Sequence, residues 1–435
     1  MAQLRYPRSI IALLLIFVLI LVTGCAEPVA HEDVDRPDDH APDGTGSPDL
    51  AVGELAYLSE GDLWLLSGED RNRLTDSGDV CFFQWSPDGS KLAYIRAAES
   101  WPETGSIWLM DADGSAVLLV EETVPLLDYL AGSAGLWLPN SNELAYAQRE
   151  PDRLRIVNAL TGDRRDLDLN GELVRAPRWH PDGELTAAVT AEQVYGSTFY
   201  HVTILDRTGT FRRMLTENNA ACWWRGGENL VLAGYGIWEI SGFYYFTELA
   251  EVDARGERYR VLYDGELWNL YPFMEASPSG DYLAVSAYNA LILVQPHEAA
   301  ALLLEQDVMT TYSEFSYPLL FTWARTGNRI AALVYTETGE LSGGRVEGYW
   351  DLVLVDAATG DTVVLWERIY SVGETEDAVP MRVFRPITWS PGDESLLLQV
   401  DRAGGGYDIL LLDLESPETP RLLVENACQP VFRPD

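Results

Sequence analysis

From residue 53 to its end the chain alternates short apolar runs with polar turns, and no stretch there carries the three-to-four-residue spacing of an amphipathic helix. The pattern repeats. WSPDGSKLAY from Trp85 returns as WLPNSNELAY from Trp137, WHPDGELTAA from Trp179 and WWRGGENLVL from Trp223. It continues as ASPSGDYLAV from Ala276, WARTGNRIAA from Trp323 and WSPGDESLLL from Trp389, and the chain stops on FRPD from Phe432. Successive copies lie 42 to 66 residues apart, the length of a unit that carries its own small sheet.

Each copy has the same grammar. An aromatic ends one apolar run, a turn follows, and a second apolar run begins. Asp88-Gly89 and Asp182-Gly183 supply the positive φ that a tight hairpin needs, while Pro87 and Pro181 pre-set the turn. A third run closes on Asp or Asn, as in IWLMD from Ile107, LRIVN from Leu154 and LVLVD from Leu352, with a Gly soon after. A fourth, weaker run completes the unit, as in AVLLV from Ala116. Four antiparallel strands per unit make a propeller blade, so the fold class expected is an all-β propeller. The two ends complement each other. FRPD begins a motif with nothing after it, and residues 54–57, 62–66 and 72–75 finish a motif with nothing before it. A C-terminal strand joining N-terminal strands therefore closes an eighth blade and removes the open edges of the array. Seven blades is the alternative, should the Ala276 copy, which lacks the aromatic, merge with a neighbour.

The phrase W-x-P-D-G-x-x-L-A-Y followed by I-W-L-M-D-A-D-G resembles the TolB-type propeller repeat, which also occurs in propeller domains of prolyl-oligopeptidase relatives. The resemblance spans roughly residues 53 to 435 and implies the fold; the family hosts many functions.

Residues 1–24 read as an address. Arg5 and Arg8 precede an apolar run from Ile10 to Val22, and Val22-Thr23-Gly24-Cys25 resembles a bacterial lipoprotein cleavage site. That resemblance implies acyl chains on Cys25 and a propeller held outside the cytoplasm, on the cell surface or the periplasmic side; an uncleaved anchor helix is the other reading. Residues 25–52 then form an acidic linker with almost nothing to bury. The formal net charge is −38, and Lys91 is the only lysine. Such acidity excludes nucleic acid as an expected partner and leaves the lipid anchor as the expected route to a membrane.

With Cys25 committed to lipid, Cys81, Cys222 and Cys428 remain. Cys81 lies four residues before Trp85, and Cys428 four before Phe432, on inner strands that would be neighbours across the closure. A Cys81–Cys428 disulfide pinning the ring is one expectation, and two buried thiols the other; Cys222 is expected reduced and buried.

Turns of the P-D-G and D-x-x-G kinds share one face of the ring and are short. The other face carries the connections 96–106, 190–199, 235–244, 305–318, 336–349 and 367–384, which read as long irregular loops. Trp101, Tyr195, Trp238, Tyr244, Tyr312 and Tyr349 sit in or beside them and are the candidate ligand-binding residues, since aromatics can form platforms for sugars or proteins. The motif tryptophans read as wedges between blades.

Catalytic patterns are missing: no G-x-S-x-G, no H-E-x-x-H and no phosphate-binding Gly-rich loop. His180, His201 and His297 are scattered, so neither a metal nor a cofactor is expected. Some propellers of this repeat type resemble oligosaccharide lyases that gather histidines round a divalent metal, and this chain lacks that gathering. The expectation is a monomeric, non-catalytic scaffold that binds an envelope protein or peptide. A glycan-binding module is the alternative, and a metal-dependent polysaccharide lyase the third reading.

Overall fold

The computed structural model describes residues 53–434 except 98–104, 122–135, 238–243, 254–258, 268–272, 296–300, 306–319, 373–386 and short stretches of one to three residues. Residues 1–52, with the leader, Cys25 and the linker, lie outside the described residues.

Eight antiparallel sheets follow one another along the chain. Blade 1 spans residues 80–120, blade 2 136–167, blade 3 172–216 and blade 4 218–267. Blade 5 spans 273–305, blade 6 320–372 and blade 7 387–424. Blade 8 joins Cys428–Phe432 to Leu55–Ser59, Asp62–Ser67 and Asp70–Arg73. There Leu55 pairs with Phe432 and Ala56 with Val431, so the C-terminal strand is the innermost one, and the chain forms an eight-bladed β-propeller. The Ala276 copy builds a blade of its own from Phe273–Ala276, Leu283–Ala287, Ala290–Val294 and Ala301–Glu305. Blade 2 is the irregular member: among the described residues its inner strand is reduced to a single bridge between Trp137 and Leu144.

Middle strands are sandwiched between neighbouring blades, so both their faces are dry, and all five residues of Ala290–Val294 are buried. The outer strand of blade 8, Asp70–Arg73, is exposed throughout and polar accordingly. Eight apolar clusters fill the eight interfaces between blades. The last of them sets Leu397, Ile409 and Leu411 of blade 7 against Leu55, Tyr57 and Phe432 of blade 8, which completes the ring.

The motif aromatics all pack backwards, onto the preceding blade. Trp85 packs with Ala56 and Leu63 of blade 8, Trp223 with Val202 and Ile204 of blade 3, and Trp389 with Leu333 and Trp350 of blade 6. A buried indole N–H needs an acceptor. It finds the same one repeatedly, the backbone carbonyl of the residue just before the preceding motif aromatic. Trp137 donates to Gln84 O at 3.3 Å, Trp223 to Arg178 O at 2.8 Å, Trp323 to Glu275 O at 3.1 Å and Trp389 to Thr322 O at 3.2 Å. Among the described residues Trp85 and Trp179 have no acceptor. Trp85 lies instead under the Arg433 guanidinium, 5.4 Å from its ring centre.

The Cys81–Cys428 disulfide is not formed: Cys81 carries a free thiol. The reason is rotational. Cys428 points forward into the interface between blades 8 and 1, and Cys81, its equivalent, points forward into the interface between blades 1 and 2. Equivalent side chains on successive blades face the same way round the ring, and so never meet. Val80, Phe83 and Trp85 of blade 1 share the apolar cluster at the closure with Cys428. Cys222 is free and buried.

Replacing Trp389 by Phe keeps the ring and removes one satisfied N–H, and should lower stability by about 1 kcal/mol. Trp85→Phe removes an N–H with no acceptor and should cost measurably less. Urea-unfolding midpoints of the two variants check this, and equal losses would contradict it.

Candidate functional site

The two faces of the ring differ in construction. On the narrow face the P-D-G turns form a belt in which several turns touch the next. His180 spans from blade 3 to Gly227 O of blade 4 at 2.9 Å and packs edge-on against Trp223, 5.0 Å between ring centres. Arg433 holds the equivalent position in blade 8, donating to Gly89 O at 2.7 Å. In the copy from Trp389 the glycine has moved, and Asp393 occupies the left-handed position at φ 59°. Its carboxylate accepts from the backbone N–H of Arg325 and Thr326 at 2.7 and 2.8 Å, so the exchange joins blade 7 to the turn of blade 6. His180 is thus a bridge between blades, in keeping with its turn-flanking place in the repeat.

The belt is finished with carboxylates held by short donors. Asp88 accepts from the Ser86 hydroxyl at 2.6 Å and from the Ser90 hydroxyl and N–H, which hold its carboxyl down at about 2. Asp206 is likewise lowered to about 2, mainly by the Thr208 hydroxyl at 2.6 Å. Between them Glu143 receives Arg165, and Arg207 at 3.0 Å, tying blade 2 to blade 3. Donors on this face are spent on neighbouring turns, which makes it a structural rim.

The opposite face is built from longer connections, and several are more regular than irregular loops. In blade 3 the ladder continues past His201 to Glu192–Phe199 and Val194–Ser197, so much of 190–199 is a ribbon. In blade 4 Ile237 pairs with Tyr244. In blade 6 the strands run as Arg329–Leu341 and Arg345–Asp356, paired out to Leu341 and Arg345. A third strand supports that ribbon, with Tyr349 opposite Ser371.

Of the candidate aromatics, Tyr349 is half-buried on the blade 6 ribbon, with the Arg368 guanidinium 4.7 Å from its ring centre. One of its faces is therefore already occupied by a cation. Tyr244 lies in a strand, Tyr244–Asp253. Trp101, Tyr195, Trp238 and Tyr312 lie outside the described residues, as does Cys25. Behind the blade 3 ribbon His201 is buried, neither ring nitrogen has a hydrogen-bond partner among the described residues, and Nε2 is 3.8 Å from Glu192. Among the described residues no group of three or more His, Cys, Asp or Glu could hold a metal ion.

Around the axis, the residue before each motif aromatic is often polar, which is unusual for an inner strand. Gln84 Oε1 accepts from Leu136 N–H at 2.6 Å, and Thr388 Oγ1 donates to Pro430 O at 3.1 Å, each reaching the next inner strand. Sequence reasoning passed over this position, although the series Gln84, Arg178, Glu275, Thr322, Thr388 is visible in the repeat alignment.

No family model matches the chain, and no curated protein does. Solved structures of similar shape exist. An oligogalacturonate lyase in complex with manganese aligns with TM-score 0.49 at 12% identity, covering 85% of this chain and 100% of the lyase. TolB from Acinetobacter baumannii aligns with TM-score 0.34 at 14% identity, covering 79% and 82%. A puromycin-hydrolyzing peptidase of Mycobacterium tuberculosis aligns with TM-score 0.48 at 14% identity over 80% of this chain and 53% of the peptidase. At such identities the likeness concerns the fold.

The lowered carboxyls set an acid limit. Stability they supply is complete above the unfolded-chain value of about 3.9 and fades as pH falls towards about 2. A variant with both Asp88→Asn and Asp206→Asn should be less stable at neutral pH and lose less between pH ~4 and ~2. Fluorescence-monitored urea unfolding across that range checks it; parallel curves for the two proteins would count against it.

Proposed function

We propose that this chain is an extracytoplasmic lipoprotein, anchored through Cys25, whose propeller is a non-catalytic scaffold binding an envelope protein or peptide on the face opposite the turn belt. The observation that carries this reading is the asymmetry of the ring. Narrow-face turns spend their polar groups on one another, whereas the other face projects ribbons of unequal length from blades 3, 4 and 6. A rigid ring presenting variable projections on one side is the usual arrangement for a binding surface. The leader and the acidic linker add an anchor and reach. The repeat's likeness to the TolB type belongs to the same reading, as a kinship of repeat units.

Mass spectrometry of the envelope form should find Cys25 as the N-terminal residue carrying acyl chains. Recovery of Cys25 as a free thiol, or within a disulfide, would overturn the anchor. For the binding face, a photo-crosslinking residue in place of Tyr349 should capture a defined envelope protein in living cells. The same residue in place of Thr359, on the turn face, should not. Equal capture from both positions, or none from either, would remove the assignment. Binding of the purified protein to a glycan array, abolished by Trp238→Ala, would favour the glycan-binding alternative instead.

A further inference from the structure

Arg178, like Arg71 and Arg329, meets a backbone carbonyl in place of a carboxylate. The described arginines commonly meet a carboxylate: Arg96 with Asp79 at 2.8 Å, Arg155 with Asp166 at 2.9 Å, Arg212 with Asp206 at 2.7 Å, Arg260 with Glu251 at 2.8 Å. The chain holds 68 acidic residues against 30 Lys and Arg, so a carboxylate is the easiest partner to find. Arg178 makes no ion pair among the described residues; its one side-chain hydrogen bond goes to Met274 O at 3.3 Å.

That contact locates the side chain. Arg178 sits on the inner strand of blade 3, and Met274 on the inner strand of blade 5. Gln84 and Thr388, at the equivalent repeat position, reach only the next blade. Arg178 reaches the next but one, passing blade 4 where the equivalent residue is the small Cys222. A side chain joining those strands crosses the axial side of blade 4, which places the guanidinium in the central channel. Phe273 lies beside it, 5.9 Å from ring centre to guanidinium carbon. Arg178 is half-buried, and burial pushes its pKa down, against the opposing pull of Cys222 and Glu275. Glu275 acts on it only from beyond ion-pair distance.

A guanidinium offers five N–H donors in a planar fork, and here the protein takes up one side-chain contact. A cation with spare donors and no carboxylate within ion-pair distance can receive a carboxylate bidentately. We infer that the central channel contains an anion site at Arg178, and that its occupant presents a carboxylate to the guanidinium. Its walls suit that chemistry: an aromatic ring on one side, a carbonyl fixing one edge of the fork, and a wall at Cys222 short enough to leave room. Met274 lies two residues before its motif position and Arg178 one, so the fork leans towards the face with the long ribbons. The site is independent of what binds those ribbons, and its failure would leave the scaffold reading intact.

The probe is acetate, titrated into the complete mature chain at constant ionic strength with chloride as the replaced anion. Thermal unfolding should show a saturable rise in midpoint for the wild type and loss of that rise in Arg178→Met. A flat wild-type response, or an equal rise in the variant, would overturn the inference. Should Arg178→Met fail to fold, wild-type crystals soaked in bromide decide the matter. An anomalous peak at the Arg178 guanidinium supports the site, and bromide peaks elsewhere with none there refute it.

Discussion

The ring rests on one recurring interaction, an indole from blades 2, 4, 6 and 7 wedged against the blade before it and donating to a carbonyl of that blade's inner strand. A sheet of four short strands cannot bury both its faces alone, so a blade acquires stability only against its neighbours. Apolar packing by itself would tolerate sliding of one blade over the next. The N–H donation removes that freedom, because a buried indole nitrogen must meet an acceptor and the acceptor is a single atom. Position round the axis is therefore set wherever an indole is paired. Closure follows from the same demand, since blade 8 must be completed before Trp85 and Leu397 have a surface to pack on.

Using a backbone acceptor explains why the array tolerates worn copies. The unit at Ala276 has lost its aromatic, yet Glu275 still offers its carbonyl to Trp323, and Tyr282 stacks on that indole with ring centres 6.2 Å apart. Blade 5 therefore takes its full place in the ring. Asp393 makes a similar point on the turn belt. Losing glycine from the left-handed position costs strain, but the carboxylate gained there caps two N–H groups of the adjacent turn.

How far the fold was legible follows from these interactions. Repeats report local grammar, so the eight units, the closing strand and the wedge tryptophans could be read from residues 53 to 435 alone. What a repeat does not report is direction round the ring. Cys81 and Cys428 hold matching places, and matching places are related by rotation, which is the relation that keeps them apart. The long connections misled for another reason. Turn residues such as Gly339 and Gly343 look like loop, and only the pairing partner, supplied by the same blade, turns 336–349 into a ribbon. The reach of Arg178 was hidden because it depends on a residue two blades away and on the smallness of Cys222 between them.

Charge sharpens the division between rim and axis. With a net charge of −38, the outer surface repels anions, and the ion pairs on the turn face consume cations locally. A guanidinium enclosed in the channel is shielded from that field by distance and by the apolar blades, while its own field acts at short range in a poorly solvated space. An anion must then be drawn by close contact rather than by long-range steering. Selection at such a site rests on the fit of a planar oxyanion to a planar fork, which a diffuse negative surface could not provide. The acidic exterior and the Arg178 cation thus act together as a filter, excluding bulk polyanions and admitting a lone carboxylate carried on a ligand that fits the ring.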